Sequence, residues 1–520
     1  MKKHTLIRFL AAVAATIAVT TAAHAALTGV TINGTPLDDA VSTNGPGWAY
    51  DSSTLTLTLS GAGPFTLSGR NTAGAVRILV PQGATNTVTL SNLTLSTGYW
   101  SDNFCAIELE TGANVSLSLK GRNSIESRPN RAGLEVPLGA SLSITHAPDD
   151  DEGALFAAGG SSAAGIGGGK NGACGTVTIT GGIVAAEGGS YGSGIGGGCN
   201  GAGGTVDISG GIVTATAGQY GSNGGAGIGG GGGFSSGGAS AAVTISGGTV
   251  FAQGNGGSDI GPGYQGVNAG ATTFTGGSIR LGGSFASPAP SNGTAPVFCA
   301  VVTGFEPREP VAIAGLANYN GDDIAADDYG CIYLWLPDGT RTFQANGSNR
   351  TVKIQNGVGP TGVTVNGEEI ASPAGSPTGW SFNAATRSLA ITGSGTYTLS
   401  GANVIGGVGV AVAANLVGTV TLSNLTLLAT HADQCAFVVG TNANVSLALA
   451  GTNTLASGSN RAGLEVAAGR TLSITNAPGD DAGSLSASGG DNAAGIGRIS
   501  VLLPATLGLL PGRSSGGAPR

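Results

Sequence analysis

Apolar residues in this chain fall at alternate positions in short runs. "TVTIT" from Thr176, "TVDIS" from Thr205 and "AVTIS" from Ala242 set Val and Ile between Thr, Ser or Asp. A second set reads "GIVAA" from Gly182, "GIVTA" from Gly211 and "GTVFA" from Gly248. Alternation over four or five residues, rich in β-branched side chains, is the signature of a strand with one buried face. Clusters of Gly and Asn separate the runs.

The runs recur at a long period. One apolar residue anchors each unit: Val76, Ile107, Leu134, Ile166, Ile195, Ile228 and Ile260, at spacings of 31, 27, 32, 29, 33 and 32. Such periods predict a solenoid or a propeller. Each unit holds three strands of about five residues, which at about 3.3 Å per residue suits one triangular coil stacked about 4.8 Å from the next. The expectation is an all-β chain, a right-handed single-stranded parallel β-helix with three strands per coil. Propeller blades, at about 40 to 50 residues and four strands, are too long for these units. In the β-helix Ile166, Ile195, Ile228 and Ile260 form one inward column, and Ile179, Ile208 and Ile245 another. The doublets Gly181-Gly182, Gly210-Gly211 and Gly247-Gly248 mark a sharp corner that needs positive φ or a close backbone approach.

The pattern is also duplicated. "GVTINGTPL" from Gly29 returns as "GVTVNGEEI" from Gly362, "TLSNLTL" from Thr89 returns from Thr421, and "NRAGLEV" from Asn130 returns from Asn460. The predicted organisation is a signal peptide (1–25), an N-terminal β cap (26–74), a first β-helix (75–298), a small β linker unit (299–358), a second cap (359–407), a truncated second β-helix (408–497) and a non-repeat tail (498–520). "GW" at Trp48 and Trp380 opens each cap, and "CIYLWLPDGTRTFQANG" predicts a hairpin turning at Pro337-Asp338-Gly339. After Gly497 the copy departs from "GIGGG" to "GIGRIS", which has the form of a reading-frame change, with a genuine tail over the last coil as the alternative.

Composition sharpens the class. Gly supplies 97 of 520 residues with no Gly-X-Y period, which excludes collagen, and 40% hydrophobic residues are enough to build a core. Charged residues make up only 10%, the net charge is −8 and no basic face stands out, which argues against nucleic acid. Lys2, Lys3 and Arg8 precede an apolar stretch from Phe9 to Val19, and Ala23-His24-Ala25 fits a cleavage site. Export follows, to the medium, the cell surface or the periplasm, and no later segment is long enough to span a membrane. Exported cysteines are permitted to bridge; Cys174 with Cys199 and Cys299 with Cys331 are the candidate pairs, while Cys105 and Cys435 share one repeat position.

Candidate chemistry is sparse. "GIGGGKNG" has dinucleotide-fingerprint spacing, but it lacks the strand-turn-helix context and its core recurs, so it is a structural unit. His146 and His431 occupy different positions in the two copies, against a His-dependent triad or zinc site. Arg77, Glu108 and Glu135 are expected to face outward on successive coils, where two carboxylates one rung apart suit Ca²⁺ or acid–base work. The turn Asp149-Asp150-Asp151 is a second Ca²⁺ candidate, partly copied at Asp480-Asp481. Ca²⁺ is therefore the one cofactor under consideration. Tyr191, Tyr220 and Tyr264 fall in the turns after the third strands, with Tyr99-Trp100 in the corresponding earlier turn, and rows of rings stack on sugars.

The layout "V-T-L-S-N-L-T-L", "N-R-A-G-L-E-V", then "A-A-G-I-G-G-G" resembles secreted bacterial carbohydrate-binding β-helix proteins, non-catalytic relatives of pectate lyases, over residues of about 65 to 280 and 396 to 497. Glycine-rich ladders of this kind are also similar to those of adhesins. The resemblance implies a non-enzymatic protein that binds polysaccharide or a cell-surface glycan, acidic and Ca²⁺-assisted in some members, or that mediates adhesion. The alternatives are a polysaccharide lyase or hydrolase, and a purely structural surface repeat protein.

Overall fold

The alternating runs form strands, and the strands stack by repeat. The computed structural model describes residues 27–498 apart from 73–75, 98–103, 128, 219–222, 284–288, 320, 374–375, 405–406, 430–433, 459, 468–471 and 491–492, together with 508–509 and 514–515. The described residues contain strands and turns and no helix, so none is long and apolar enough to cross a membrane. The signal-peptide assignment and most of the tail after Gly497 lie outside the described residues.

Three parallel ladders make up residues 77–281. In the first, Leu134 pairs with Ile107 on one side and Ile166 on the other, and the column continues through Ile195, Ile228 and Ile260. In the second, Ile144, Ile179, Ile208 and Ile245 stand in register. In the third, Leu155, Val184, Val213 and Val250 do the same. These residues are buried in one continuous core. The long strand Thr85–Ser96 joins two ladders: its first half pairs with Asn114–Lys120 and its second half with Arg122–Glu126. The register moves one expected position. Ile78, not Val76, stands opposite Ile107, and Arg77 lies outside the column containing Glu108 and Glu135.

Glycine sets the corners. Gly182, Gly211 and Gly248 have φ of 81°, 82° and 77°, as the doublets require. After the first-ladder isoleucines, Gly196 has φ of 136°, and a Cβ there would sit 2.0 Å from the Gly229 carbonyl oxygen of the next repeat. Two Asn side chains stitch the interior edge. Asn123 Oδ1 accepts from Leu93 N–H at 2.9 Å, and its amide donates to the Ala154 carbonyl at 3.0 Å. Asn453 repeats both bonds in the second module with Leu425 and Ser484.

The linker unit covers the end of the first module. Trp335 packs edge-on against Phe274 with ring centroids 5.1 Å apart, and its indole N–H donates to the Ile279 carbonyl at 2.9 Å. Its other side meets the second module, where Val301, Cys331 and Tyr333 are buried with Ala402 and Val404 and pack against Leu428. The hairpin expected at Pro337-Asp338-Gly339 does not form: Cys331–Leu336 pairs with Phe298–Thr303, and Gly339–Ala345 pairs with Ser348–Ile354. The latter pair turns at Asn346-Gly347, with φ of 49° and 75°. Two successive positive values suit the primed turns that match strand twist. All six cysteines are free. Cys331 lies opposite Thr303 and Cys299 opposite Trp335, four residues along the ladder, so that candidate bridge has no geometry.

In the second module, parallel strands again stack by repeat, from Ser388–Ile391 through Gly409–Val412, Phe437–Val439 and Leu464–Val466. Close backbone stacking predicts unequal costs for glycine substitutions. Gly196→Ala is expected to lower unfolding free energy by about 3 kcal/mol or more, whereas Gly347→Ala, at φ of 75° with open space around it, costs about 1 kcal/mol. Urea midpoints of the two variants check this. Equal losses would show that backbone contact does not fix glycine at the first site.

Candidate functional site

Side chains reach solvent in the turns where the glycine stacking permits a Cβ. After each first-ladder isoleucine the chain reads "GGGKNG", "GGGCNG" and then "GGGGGFSSGG". A Cβ on Gly198 would meet the Gly169 carbonyl oxygen at 2.1 Å, and one on Gly231 would meet that of Gly198 at 1.8 Å. Backbone therefore rests on backbone, and Lys170, Asn171, Asn200 and Phe234 are carried at the exposed ends. Asn171 and Asn200 take φ of 58° and 60°, the left-handed region that Asn tolerates best after Gly. The Asn200 amide donates to Asn171 Oδ1 at 3.0 Å, an amide rung on the surface.

The neighbouring turn, after the third ladder, folds against the same place. Asn200 N–H donates to the Gly232 carbonyl at 2.9 Å, and Gly232 N–H donates to the Tyr191 carbonyl at 2.7 Å. The Tyr191 and Phe234 rings then lie 5.1 Å apart at 53°. Tyr191 is half-buried and Phe234 is 68% exposed. One patch thus combines two rings, two amides and an ammonium group. Lys170 is the only charged residue in segments 159–172, 188–203 and 218–241.

Of the expected aromatic row, Tyr191 is in this patch. Tyr264 is half-buried in the following turn, with its N–H donating to the Gly224 carbonyl at 3.1 Å. Tyr99, Trp100 and Tyr220 lie outside the described residues, as does His431. Phe234 was not expected, although the sequence holds a signal for it. From Ile228 to Ala242 is 14 residues, against 10 from Ile166 to Thr176 and 10 from Ile195 to Thr205. The insertion carries Phe234 at its tip.

The carboxylate candidates do not form a Ca²⁺ site. Glu108 and Glu135 do stand one repeat apart in register. Arg131, four residues before Glu135, lies between them: its Nη2 pairs with Glu108, and its Nε is 2.9 Å from Glu135 Oε2. Arg77 Nη2 reaches Glu108 at 3.5 Å, and its guanidinium stacks 5.1 Å from the Phe104 ring centroid. Glu135 is 8% exposed rather than outward-facing. Burial pushes its carboxyl from an ordinary 4.5 up to about 7, against the opposing pull of Arg131. Cys105 lies close by, fully buried, with its thiol donating to the Ile107 and Ala132 carbonyls.

The acidic turn is likewise occupied by its own chain. Asp149 pairs with Lys120 Nζ, and Asp151 is 3.8 Å from His146 Nδ1. Asp150 Oδ2 accepts from Gly121 N–H at 2.5 Å, and in the second module Asp480 accepts from Gly451 N–H at 2.6 Å. The copy keeps the carboxylate that holds backbone and loses the ion pair, with Ala450 and Gly479 in place of Lys120 and Asp149. Among the described residues no three His, Cys, Asp or Glu side chains converge on a possible metal position. Of the carboxylates considered for Ca²⁺, Glu108 and Glu135 are held by arginine, Asp149 by lysine and Asp150 by backbone N–H groups, while Asp151 faces solvent beside His146, so the set does not fit the ion.

No protein-family model, curated protein or solved structure matches this chain. The site is therefore read from its own geometry.

The Glu135 environment carries a prediction of sign. Its native form keeps a proton that the unfolded chain releases above about 4.5, so stability falls as pH rises from there through about 7. Glu135→Gln is expected to match the parent at pH 5 and to exceed it at pH 8, as read by urea midpoints. A parent that gains on the variant with rising pH contradicts the assignment.

Proposed function

We propose that this chain is a secreted, non-enzymatic, right-handed parallel β-helix protein that binds polysaccharide at the cell surface or in the medium. Each strand pairs with its equivalent in the next repeat, with three strands per repeat, and a chain that connects such parallel strands does so right-handedly. The N-terminal apolar stretch between Arg8 and the Ala23-His24-Ala25 site supports export.

The observation that carries the binding reading is the tilted Tyr191–Phe234 ring pair beside the Asn200–Asn171 amide rung. An exposed aromatic ring covers the apolar face of a sugar, and planar amides fix its hydroxyls. Phe234, mostly exposed at the tip of an insertion, adds little to the core, and its ring is open to contact with a ligand. The lyase reading needs an arginine or lysine free to act beside carboxylates. Arg77, Arg131 and Lys120 are each already paired with one.

The test is affinity electrophoresis of the full chain through gels containing single polysaccharides, with and without EDTA. One or more polymers are expected to retard the parent, and Tyr191→Ala with Phe234→Ala is expected to weaken that binding about tenfold, or about 1.4 kcal/mol. EDTA is expected to change nothing. A parent retarded by no polymer, or a double variant retarded as strongly as the parent, defeats the proposal.

A further inference from the structure

The outward face of the second ladder differs from its neighbours. Its strands read "TNTVT" from Thr85, "NVSLS" from Asn114 and "SLSIT" from Ser141, then "TVTIT", "TVDIS" and "AVTIS", and last "ATTFT" from Ala271. Strand pairing sets their alternate letters in three columns across seven repeats. Backbone bonds from Thr180, Ser209, Ser246 and Thr275 extend the third column past the strand ends. None of these twenty-one outward residues is buried. Seventeen are Ser or Thr, and one, Asp207, is charged. The third ladder carries Arg122, Glu126, Glu187 and Phe156 on its outward face, so such positions in this fold admit long, charged and aromatic side chains.

The copy keeps the hydroxyls. Thr396, Thr419, Ser446 and Ser473 form one unbroken column, and Thr398, Thr421 and Thr475 stand in the next, where Ala448 is the one exception. Outward residues of the third ladder change instead, as Glu126 does to Ala456 and Phe156 to Ser486. Short side chains of similar height make the hydroxyl face flat. Its columns repeat at about 4.8 Å from rung to rung and lie about 7 Å apart along each strand. The face also continues the ring-and-amide patch. The turns that hold Asn171 and Asn200 lead, five residues later, into Thr176 and Thr205 of the first column. The amide rung between those two asparagines runs in the same axial direction as the columns.

We propose that this face is the track along which the bound polysaccharide lies, and that the ligand is a linear, uncharged, extended β-linked glycan. The inference rests on the polysaccharide-binding reading above and names its ligand class. An extended β-1,4-linked glycan advances per sugar by nearly the rung spacing, and its hydroxyls line both edges, so each sugar meets one rung. A coiled α-linked glucan loses that register after a few sugars. The chain's charge of −8 and the Asp207 carboxylate disfavour an acidic polymer on this face. A hydroxyl pair formed here replaces hydrogen bonds to water, so one sugar gains little. Rungs in register add their small gains within a single association, which makes affinity a function of glycan length. Seven rungs span about 29 Å, the reach of about seven sugars.

The test is isothermal titration calorimetry of the full chain with linear β-1,4-linked gluco-, manno- and xylo-oligosaccharides, from disaccharide to octasaccharide, and with α-1,4-linked gluco-oligosaccharides of the same lengths. For at least one β-linked series, affinity is expected to rise about tenfold or more from trisaccharide to heptasaccharide and then to level. The α-linked series is expected to show no such rise. Ser116→Lys with Ser143→Lys, outward changes away from the patch, is expected to abolish the rise while trisaccharide binding and circular dichroism stay unchanged. Asp207→Thr, which completes the middle column, is expected to strengthen heptasaccharide binding severalfold. Equal binding of trisaccharide and heptasaccharide, lost in Tyr191→Ala with Phe234→Ala, confines the ligand to the patch; it overturns the track while the binding reading stands. A rise that survives the lysine pair, or binding of acidic polymers with none of any β-linked series, also overturns the track. A rise with length that persists without the two rings upholds the track and defeats the reading of the ring patch.

Discussion

Everything in this molecule depends on parallel strands finding their backbone partners in the repeat before and the repeat after. That demand fixes the interior, because equivalent side chains must lie directly over one another. Apolar columns such as Ile166, Ile195, Ile228 and Ile260 answer it at no polar cost. It also fixes the corners, where carbonyls of one repeat occupy the space that a Cβ in the next would need. Function is left with what remains: outward strand positions and the tips of turns. The two surfaces singled out above are of those two kinds.

The same constraint governs charge. A chain with few ionisable groups still places several of them near the stack, and it does so in compensated sets. Arg131 binds two carboxylates from adjacent repeats, and in the second module Arg461 binds Glu465 with both Nε and Nη2, at 2.7 Å each. Where Glu108 is replaced by Val438, Arg77 is replaced by Gly409. Charges arrive and leave as groups because an unmatched one beside a packed backbone stack would be poorly hydrated.

Much of the ladder architecture was legible because alternation and period are properties of the sequence itself. The isoleucine columns and the doublet corners needed no tertiary information. The start of the first column did. In "AVRILV" the residues Val76, Ile78 and Val80 are all buried, so a slip of two keeps every side chain on its face, and only the partner strand selects Ile78. The linker hairpin was misplaced for a related reason. Pro337-Asp338-Gly339 is a competent turn, but Cys331–Leu336 is claimed by Phe298–Thr303, some thirty residues earlier, where its fully buried side chains find a partner. The site was less legible. Glu108 and Glu135 are visible as carboxylates in register, but their neutralisation by Arg131 depends on how one turn folds back. The patch at Phe234 depends on two turns meeting that are more than forty residues apart.

The linker unit has two unlike sides, and the second has a consequence for how modules can be ordered. Its seat on the second module is made by Ala402, Val404 and Leu428. The strand registers identify the corresponding residues of the first module as Arg70, Thr72 and Ser96. Arg70 and Thr72 are exposed there, and a hydrophobic linker face has nothing to grip on them. The modules are therefore not interchangeable bricks. One kind accepts a unit beneath it and the other refuses it, so a string of such modules would have a direction, written in three side chains.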